Sequence, residues 1–270
     1  MLVLAATPIG NIGDASKRLK EALSEADLLV AEDSRVLKKL MVALHVTNPA
    51  KILVLNEHTE QKLLGHVWTA AANGFVLVVS DAGMPTINDP GFGLVRGAHE
   101  RGILVSVVPG PSAGLTALAA SGLPTDRFCH EGFVPRKGRV QYFESLRNEA
   151  RTMIFFESPN RLARSLNDAI LVFGDEREAC VAREITKIYE EIVKGSLSEL
   201  REYFSQPTKG EVVLIIAGER GKSASLNDAL ASVELLIESG LRRAEACQRV
   251  AKTTGLSRRT LYRASIANDQ

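Results

Sequence analysis

Five short segments concentrate the residues able to do chemistry: ATPIGN (6–11), AEDSR (31–35), NEHTE (56–60), SDAGMP (80–85) and PGPSAG (109–114). Each follows an apolar run that reads as a strand. Three combine Gly with Pro or another small residue, which lets backbone N–H groups approach a ligand and fixes the loop's shape. Ordinary βα turns also use Gly, Pro and a capping Ser or Asp. Five such turns along one sheet edge favour a ligand site, because open parallel sheets bind ligands outside the carboxyl ends of their strands. The familiar phosphate cradles are absent. Gly10 and Gly13 give only GNIG where a dinucleotide site needs GxGxxG, and the one GxG, Gly91 and Gly93, follows Pro90 and has Arg96 in the third position. A P-loop ending in Gly221, Lys222 and Ser223 has Ile216 where its first glycine belongs.

Gly110, Ser112 and Gly114 satisfy GxSxG between a strand and a helix, the setting of a hydrolase nucleophile. Of the histidines at 45, 58, 66, 99 and 130 only His130 follows Ser112, with Asp126 four residues before it. A triad would then come from one tight segment instead of two later strands. This serine hydrolase reading stays open beside a ligand-holding role for Ser112. The histidines lack HxxxH or HxxEH spacing, and Cys129, Cys180 and Cys247 are odd in number and at least fifty positions apart. Neither a metal site nor a disulfide framework can be drawn from them.

The elements that must position these loops follow from the apolar pattern. LVLAA (2–6), DLLVA (27–31), KILVL (51–55), FVLVVS (75–80) and ILVSVV (103–108) alternate with helical-period stretches near 16–25, 36–44, 60–73 and 91–101. That βαβ rhythm predicts a parallel sheet covered on both faces. TMIFFE (152–157), EACVAREI (178–185) and EVVLIIAG (211–218) predict strands of a second α/β unit. SGLPTD (121–126) and GERGKSAS (218–225) read as linkers, which divides the chain into α/β domains at 1–121 and 122–222 and a helical appendage at 223–270.

The composition, 45% hydrophobic and 24% charged over 270 residues, is that of an ordinary globular protein and excludes disordered, collagenous and coiled-coil classes. No apolar run approaches the roughly 18 residues of a membrane helix, and MLVLAATPIG lacks the basic start of a secretory signal, so a cytoplasmic location is expected. Net charge is +1, but Arg242, Arg243, Arg249, Lys252, Arg258, Arg259 and Arg263 against Glu245 give residues 242–263 a local +6. A basic end on a slightly acidic body suggests that the end meets a polyanion.

In ATPIGN, AEDSR, SDAGMPTINDPG, PGPSAGLTALAASGLPTDRF, GFVPRK, FFESPNRL, REITK and KGEVVLIIAG, in that order and spacing, the chain resembles the tetrapyrrole methylase superfamily, specifically its ribosomal RNA branch, over roughly residues 1–220. The resemblance implies two α/β domains with S-adenosylmethionine (SAM) in the cleft between them, a homodimer without metal, and methylation of the ribose 2′-hydroxyl of a cytidine in 16S ribosomal RNA. Carried over by position, it implies that Pro8 and Gly10 border the cofactor and that Asp81, Ala82, Gly83 and Pro85 hold its amino-acid end. Ser112 and Ala113 would take its ribose or adenine side, and Phe156 and Glu157 would close the cleft. Three residues depart from the branch's usual pattern: Met84 for Thr, Asn160 for His and Tyr189 for His.

Methyl transfer to a hydroxyl is an in-line displacement that needs alignment of donor and acceptor and an outlet for a proton. Asp33, Glu157, Glu184 and Lys187 are the candidates for that base, the lysine only if burial or a cation such as Arg183 lowers its pKa. A methyltransferase acting on a tetrapyrrole precursor is an alternative reading. The basic tail favours RNA. Residues 226–238, 244–252 and 257–263 read as helices in a helix-turn-helix pattern, with Gly255 at the turn, Ser257 as cap and Ala246, Val250, Ala251, Leu256 and Leu261 as core. This leaves Arg258, Arg259 and Arg263 to fork onto phosphates and Tyr262 to stack on a base. Around the cleft, Arg35, Arg136, Lys137 and Arg183 are the further RNA-binding candidates.

Overall fold

The computed structural model describes residues 1–56, 59–207, 209–219 and 226–267. The middle of the NEHTE loop with His58, most of the GERGKSAS segment and the boundary expected at 222 lie outside the described residues. The first half forms β1 (Leu2–Ala5), α1 (Lys17–Glu25), β2 (Leu28–Ala31), α2 (Ser34–Ala43), β3 (Lys51–Val54), α3 (Glu60–Asn73), β4 (Val76–Val79), α4 (Phe92–Glu100), β5 (Val105–Val108) and α5 (Ala113–Ser121). All its strands are parallel, in the order β3-β2-β4-β1-β5. Strands β2 and β4 are buried along their whole length, as central parallel strands covered on both faces must be. Leu19, Leu23 and Leu37 of α1 and α2 cover one face, and Val67 and Leu94 of α3 and α4 the other. Neighbouring strands β1 and β4 therefore send their chains to opposite faces. That is the switch point at which an open α/β sheet leaves a crevice.

The second half contributes β6 (Phe128–Phe133), α6 (Arg139–Ser145), β7 (Thr152–Glu157), α7 (Leu162–Phe173), β8 (Glu178–Arg183), β9 (Glu191–Ser196), α8 (Leu197–Tyr203) and β10 (Val212–Ile216). Its sheet, ordered β6-β7-β10-β8-β9, is mixed: β6 pairs with β7 in parallel and the remaining pairs are antiparallel. Met153, Phe155, Val181 and Leu214 pack under α6, α7 and α8. The opposite face, with Ile154, Cys180, Ala182, Val213 and Ile215, receives Ala117 and Leu118 of α5 together with Ile9 and Ile185. Helix α5 thus follows the last strand of the first sheet yet packs on the second, and couples the two halves. Strands β6 and β9 escape the sequence pattern because they are edges. FCHEGF and EIVKGS are half-exposed and carry no continuous apolar run.

The tail folds as α9 (Leu226–Glu238), α10 (Arg243–Thr254) and α11 (Arg258–Ala267) around Ala229, Val233, Ala246, Cys247, Val250 and Leu261. The expected core positions all pack there, Ala251 and Leu256 partly buried. Gly255, with φ +71°, ends α10 in the left-handed conformation that glycine adopts without strain. Ser257 Oγ accepts the N–H of Thr260 at 3.4 Å. Helix α11 runs a turn beyond its expected end at 263. No helix among the described residues is long and apolar enough to cross a membrane.

Candidate active site

A cavity of about 460 Å³ opens at the switch point between the halves, within the range that accommodates a small organic ligand. The first half supplies Ile9, Glu32, Asp81, Ala82, Gly83, Met84, Ile87, Asn88, Asp89, Ser112 and Ala113, and the second supplies Phe133, Phe156, Glu157, Ser158, Pro159, Ile185, Gly210, Glu211, Val212 and Val213. Four of the five loops singled out in the sequence reach it. The described residues of the loop after β3 do not line it, and β3 is the outermost strand of its sheet.

Asp81, Ala82, Gly83, Ser112, Ala113, Phe156 and Glu157 all line this cavity. Pro8, Gly10 and Pro85 do not. Pro85 lines a small adjoining pocket with Val30, Ser80 and Asp89. A Cβ on Gly10 would lie 2.5 Å from Lys187 Cγ and 2.8 Å from Thr186 Oγ1. Its missing side chain admits the β8–β9 loop of the other half. Gly83 has φ +83° and exchanges both backbone hydrogen bonds with Thr7, at 2.9 and 3.1 Å. A Cβ there would find only ordinary contacts at 3.4 Å and beyond, so conformation rather than space demands glycine. Thr86, Asn88, Glu184 and Thr186, on the two loops that meet at the cleft, also have positive φ. Left-handed backbone at a β-branched threonine costs of order 1–3 kcal/mol and collects at functional sites.

The first-half wall is acidic. Glu32, Asp81 and Asp89 line the cavity, and all three have pKa values raised, first by burial and then by neighbouring negative charge, that of Asp89 and Asp81 on Glu32, of Asp33 on Asp81 and of Asp81 on Asp89. Asp33 beside them differs. It caps α2, accepts both the N–H and the guanidinium of Arg35, and is held down at about 2 by that pairing. Its N–H donates to Asp81 Oδ1 at 3.0 Å. Glu32 and Asp89 went unassigned in the sequence although AEDSR and the NDPG segment contain them. Carboxylates counted at the ends of neighbouring strands β2 and β4 would have found both.

The second-half wall is apolar and aromatic. Phe156 packs against Phe133 at 5.3 Å and edge-on against His130 at 5.0 Å between ring centroids. His130 Nε2 bonds Asn88 Oδ1 and so ties strand β6 to the acidic loop. Burial lowers the His130 pKa. The histidine thus turns its Nε2 to Asn88, not to Ser112, and Ser112 has relaxed extended backbone (φ −146°, ψ 115°) instead of the strained turn of a nucleophile elbow. This geometry gives the hydrolase reading no support.

The remaining candidates are committed elsewhere. Glu157 is 3% exposed; its Oε1 accepts from Ser158 N–H and Arg161, both at 2.6 Å, and its Oε2 accepts from Ser165 Oγ. Lys187 Nζ bridges Glu184 at 2.7 Å and Glu211 at 2.8 Å. Burial pushes its pKa down, but the two carboxylates outweigh it and the net direction is up. Glu184 is lowered, chiefly by Lys187. Arg183 is spent on Glu191 at 2.8 Å and on the Lys209 carbonyl, and Arg35 on Asp33. Arg136, Lys137, Arg258, Arg259 and Arg263 are exposed.

A family model described as Tetrapyrrole (Corrin/Porphyrin) Methylases matches residues 1–201. The chain is 44% identical over 269 residues to the ribosomal RNA small subunit methyltransferase I of Mycobacterium tuberculosis (strain ATCC 25618 / H37Rv), covering 98% of this chain and 94% of that one. It is 40% identical over 273 residues to the enzyme of the same name from Escherichia coli O157:H7, with the same shares covered. Among solved structures it is similar to diphthine synthase, with TM-score 0.61 and 15% identity over 80% of this chain and 90% of that one. The methyltransferase CobJ gives TM-score 0.60 and 19% identity over 81% and 94%. At such identities the structural likeness establishes the fold.

Proposed function

Because this chain belongs to the tetrapyrrole methylase family, we propose that it transfers a methyl group from SAM to the ribose 2′-hydroxyl of a cytidine in 16S ribosomal RNA. The observation that carries the reading is a cavity between the halves with an acidic wall on one side and an aromatic wall on the other, in a chain similar over nearly its full length to named ribosomal RNA methyltransferases. SAM fits what these residues offer. Glu32, Asp81 and Asp89 suit a ligand carrying sulfonium and ammonium charges, the left-handed backbone at Gly83 brings peptide groups to it, and Phe156, Ile185 and Val213 give its flat and aliphatic parts an apolar surface. Bound there, SAM supplies an electrophilic methyl group.

The chain's own residues then orient and exclude water. Ser112 and Ala113, at the start of α5, hold the ligand from the helix N-terminus. Glu157 with Arg161 and Ser165, and Lys187 with Glu184 and Glu211, are framework that fixes the second wall and its contact with the Gly10 loop. Asp33, held down at about 2 by Arg35, is too weak a base to drive the deprotonation. The division at 121 and 222 belongs to the same reading, with cofactor between the first two parts and RNA held by Arg258, Arg259 and Arg263 of the third and by Arg136 and Lys137 at the cleft. So do a homodimeric assembly and a cytoplasmic place of action. A tetrapyrrole substrate has no use for a basic three-helix tail.

The test is calorimetric titration with SAM followed by transfer of an isotopically labelled methyl group. Micromolar SAM binding and label in small-subunit RNA are expected, with none in a porphyrin precursor offered in parallel. Label in the porphyrin alone, or covalent capture of Ser112 by a fluorophosphonate, overturns the reading.

A further inference from the structure

The aromatic wall has one ring that the cofactor reading leaves unused. Phe133 lines the cavity yet is 61% exposed, whereas its neighbour Phe156 is half-buried. A large apolar ring held at a cavity mouth costs hydration free energy that burial elsewhere would recover. Its placement is built. In the β6–β7 pairing His130 faces Ile154 and Phe133 faces Phe156, with a register shift between His130 and Gly132. In an unbroken strand two residues three apart point to opposite faces. The extra residue at this bulge brings His130 and Phe133 to the same face, where both rings meet Phe156. Gly132 takes φ +72° at the bulge, and a Cβ on it would stand 2.6 Å from Asn88 Nδ2. Asn88 in turn holds His130. A bulge, a left-handed glycine and a contact between the halves therefore converge on the aim of one exposed ring.

From this we infer that Phe133 is the stacking platform for the base of the target nucleotide, an inference that rests on the ribose-methylation reading. To bring a 2′-hydroxyl into the cavity, the nucleotide must leave its neighbours and lose their stacking, and a protein that extracts a base replaces that contact with aromatic or apolar side chains. Phe133 offers such a face at the entrance, and Ile87, half exposed beside Asn88, offers a second apolar surface. Arg136 and Lys137, three and four positions beyond Phe133 in the chain, are exposed and supply positive charge for the flanking phosphates of a stacked nucleotide. Aromatic rings beside basic groups are the usual composition of a single-strand binding surface.

The variants Phe133→Leu and Phe133→Tyr, assayed on small ribosomal subunits from cells lacking this enzyme, test the inference. Base–aromatic stacking is worth about tenfold or more per base, so Phe133→Leu should lower kcat/KM for the subunit by about tenfold or more, and Phe133→Tyr should stay near wild type. SAM affinity by calorimetry and oligomeric mass in solution should be unchanged in both. A Phe133→Leu protein with wild-type kcat/KM overturns the inference. A parallel loss of SAM affinity makes Phe133 a cofactor wall, and a changed mass makes it an interface residue; either result also overturns it. If the wild-type protein binds SAM but methylates no subunit RNA, the ribose-methylation reading falls and takes this inference with it. A defect confined to Phe133→Leu is a different result from that.

Discussion

The two walls of the cavity are made by different means. The first-half wall is a row of loop ends on a parallel sheet, and its working groups are charges. Glu32, Asp81 and Asp89 are gathered at the ends of β2 and β4 at the expense of raised pKa values. The second-half wall is the face of a mixed sheet, and its working groups are rings placed by strand register. Charge tells a ligand where to put its cation, whereas rings select a flat body. The division assigns affinity for the cofactor mainly to the acidic loops and selection of the nucleotide mainly to the aromatic strand.

The largest expected effect lies where the acidic loop is bound to β1. Gly83→Val forces a branched residue to φ +83° beside the Thr7 bridge, and displacement of the loop should lower SAM affinity by about a hundredfold or more, in line with a strain of order 1–3 kcal/mol plus lost contacts. Cooperative melting should persist, because the site lies outside the strands. Unchanged SAM affinity in a folded variant would remove the loop from the site. Glu157→Gln should act on the other wall and mainly on stability. It leaves Arg161 beside a neutral group in a buried setting, a loss of order 3 kcal/mol, visible as a lowered denaturation midpoint. A variant of wild-type stability with sharply reduced SAM affinity would instead make Glu157 a cofactor contact.

A smaller, signed effect is expected at Asp89. Its pKa is raised in the folded chain, chiefly by burial. The ligand-free protein therefore loses stability as pH rises from the ordinary carboxylate range, near 4, through the raised value. Affinity for a cationic ligand runs the other way and rises over the same window. Asp89→Asn should flatten both trends, raise the ligand-free melting temperature near neutral pH and weaken SAM by about tenfold, since each tenfold is about 1.4 kcal/mol of lost charge interaction. Melting curves and titrations from pH 4 to 8 check this, and parallel trends in variant and wild type would contradict it.

The smallest effect on the cleft is expected from the tail. Replacing Arg258, Arg259 and Arg263 by Ala should leave SAM affinity as it is. RNA affinity should weaken broadly across sequences, with a salt slope reduced by roughly two, about 0.7 for each lost contact to a single strand. An unchanged slope would make α11 a structural cap and move RNA binding to Arg136 and Lys137.

The same contrast explains what could be seen in the chain before folding. Buried parallel strands such as LLVA and VLVV are continuous apolar runs, and the loops at their ends are fixed by topology, so the first sheet and its ligand edge were legible. Edge strand β6 was not. FCHEGF is shaped by a bulge, which depends on pairing with β7 and leaves no periodic trace. Gly10 was placed beside the cofactor by the family resemblance alone, and only the folded chain brings Lys187 and Thr186 onto it. Carboxylate count was legible, and which carboxylates lack cationic partners was not. Asp33 and Asp81 look alike in sequence but differ by the guanidinium of Arg35.

The account is tested most directly by nucleoside mass analysis of small-subunit RNA incubated with the protein and SAM. It predicts a single 2′-O-methylcytidine that depends on both, with the methyl on the ribose and none on the base. A base-methylated nucleoside, or unmodified RNA in the presence of bound SAM, would contradict it.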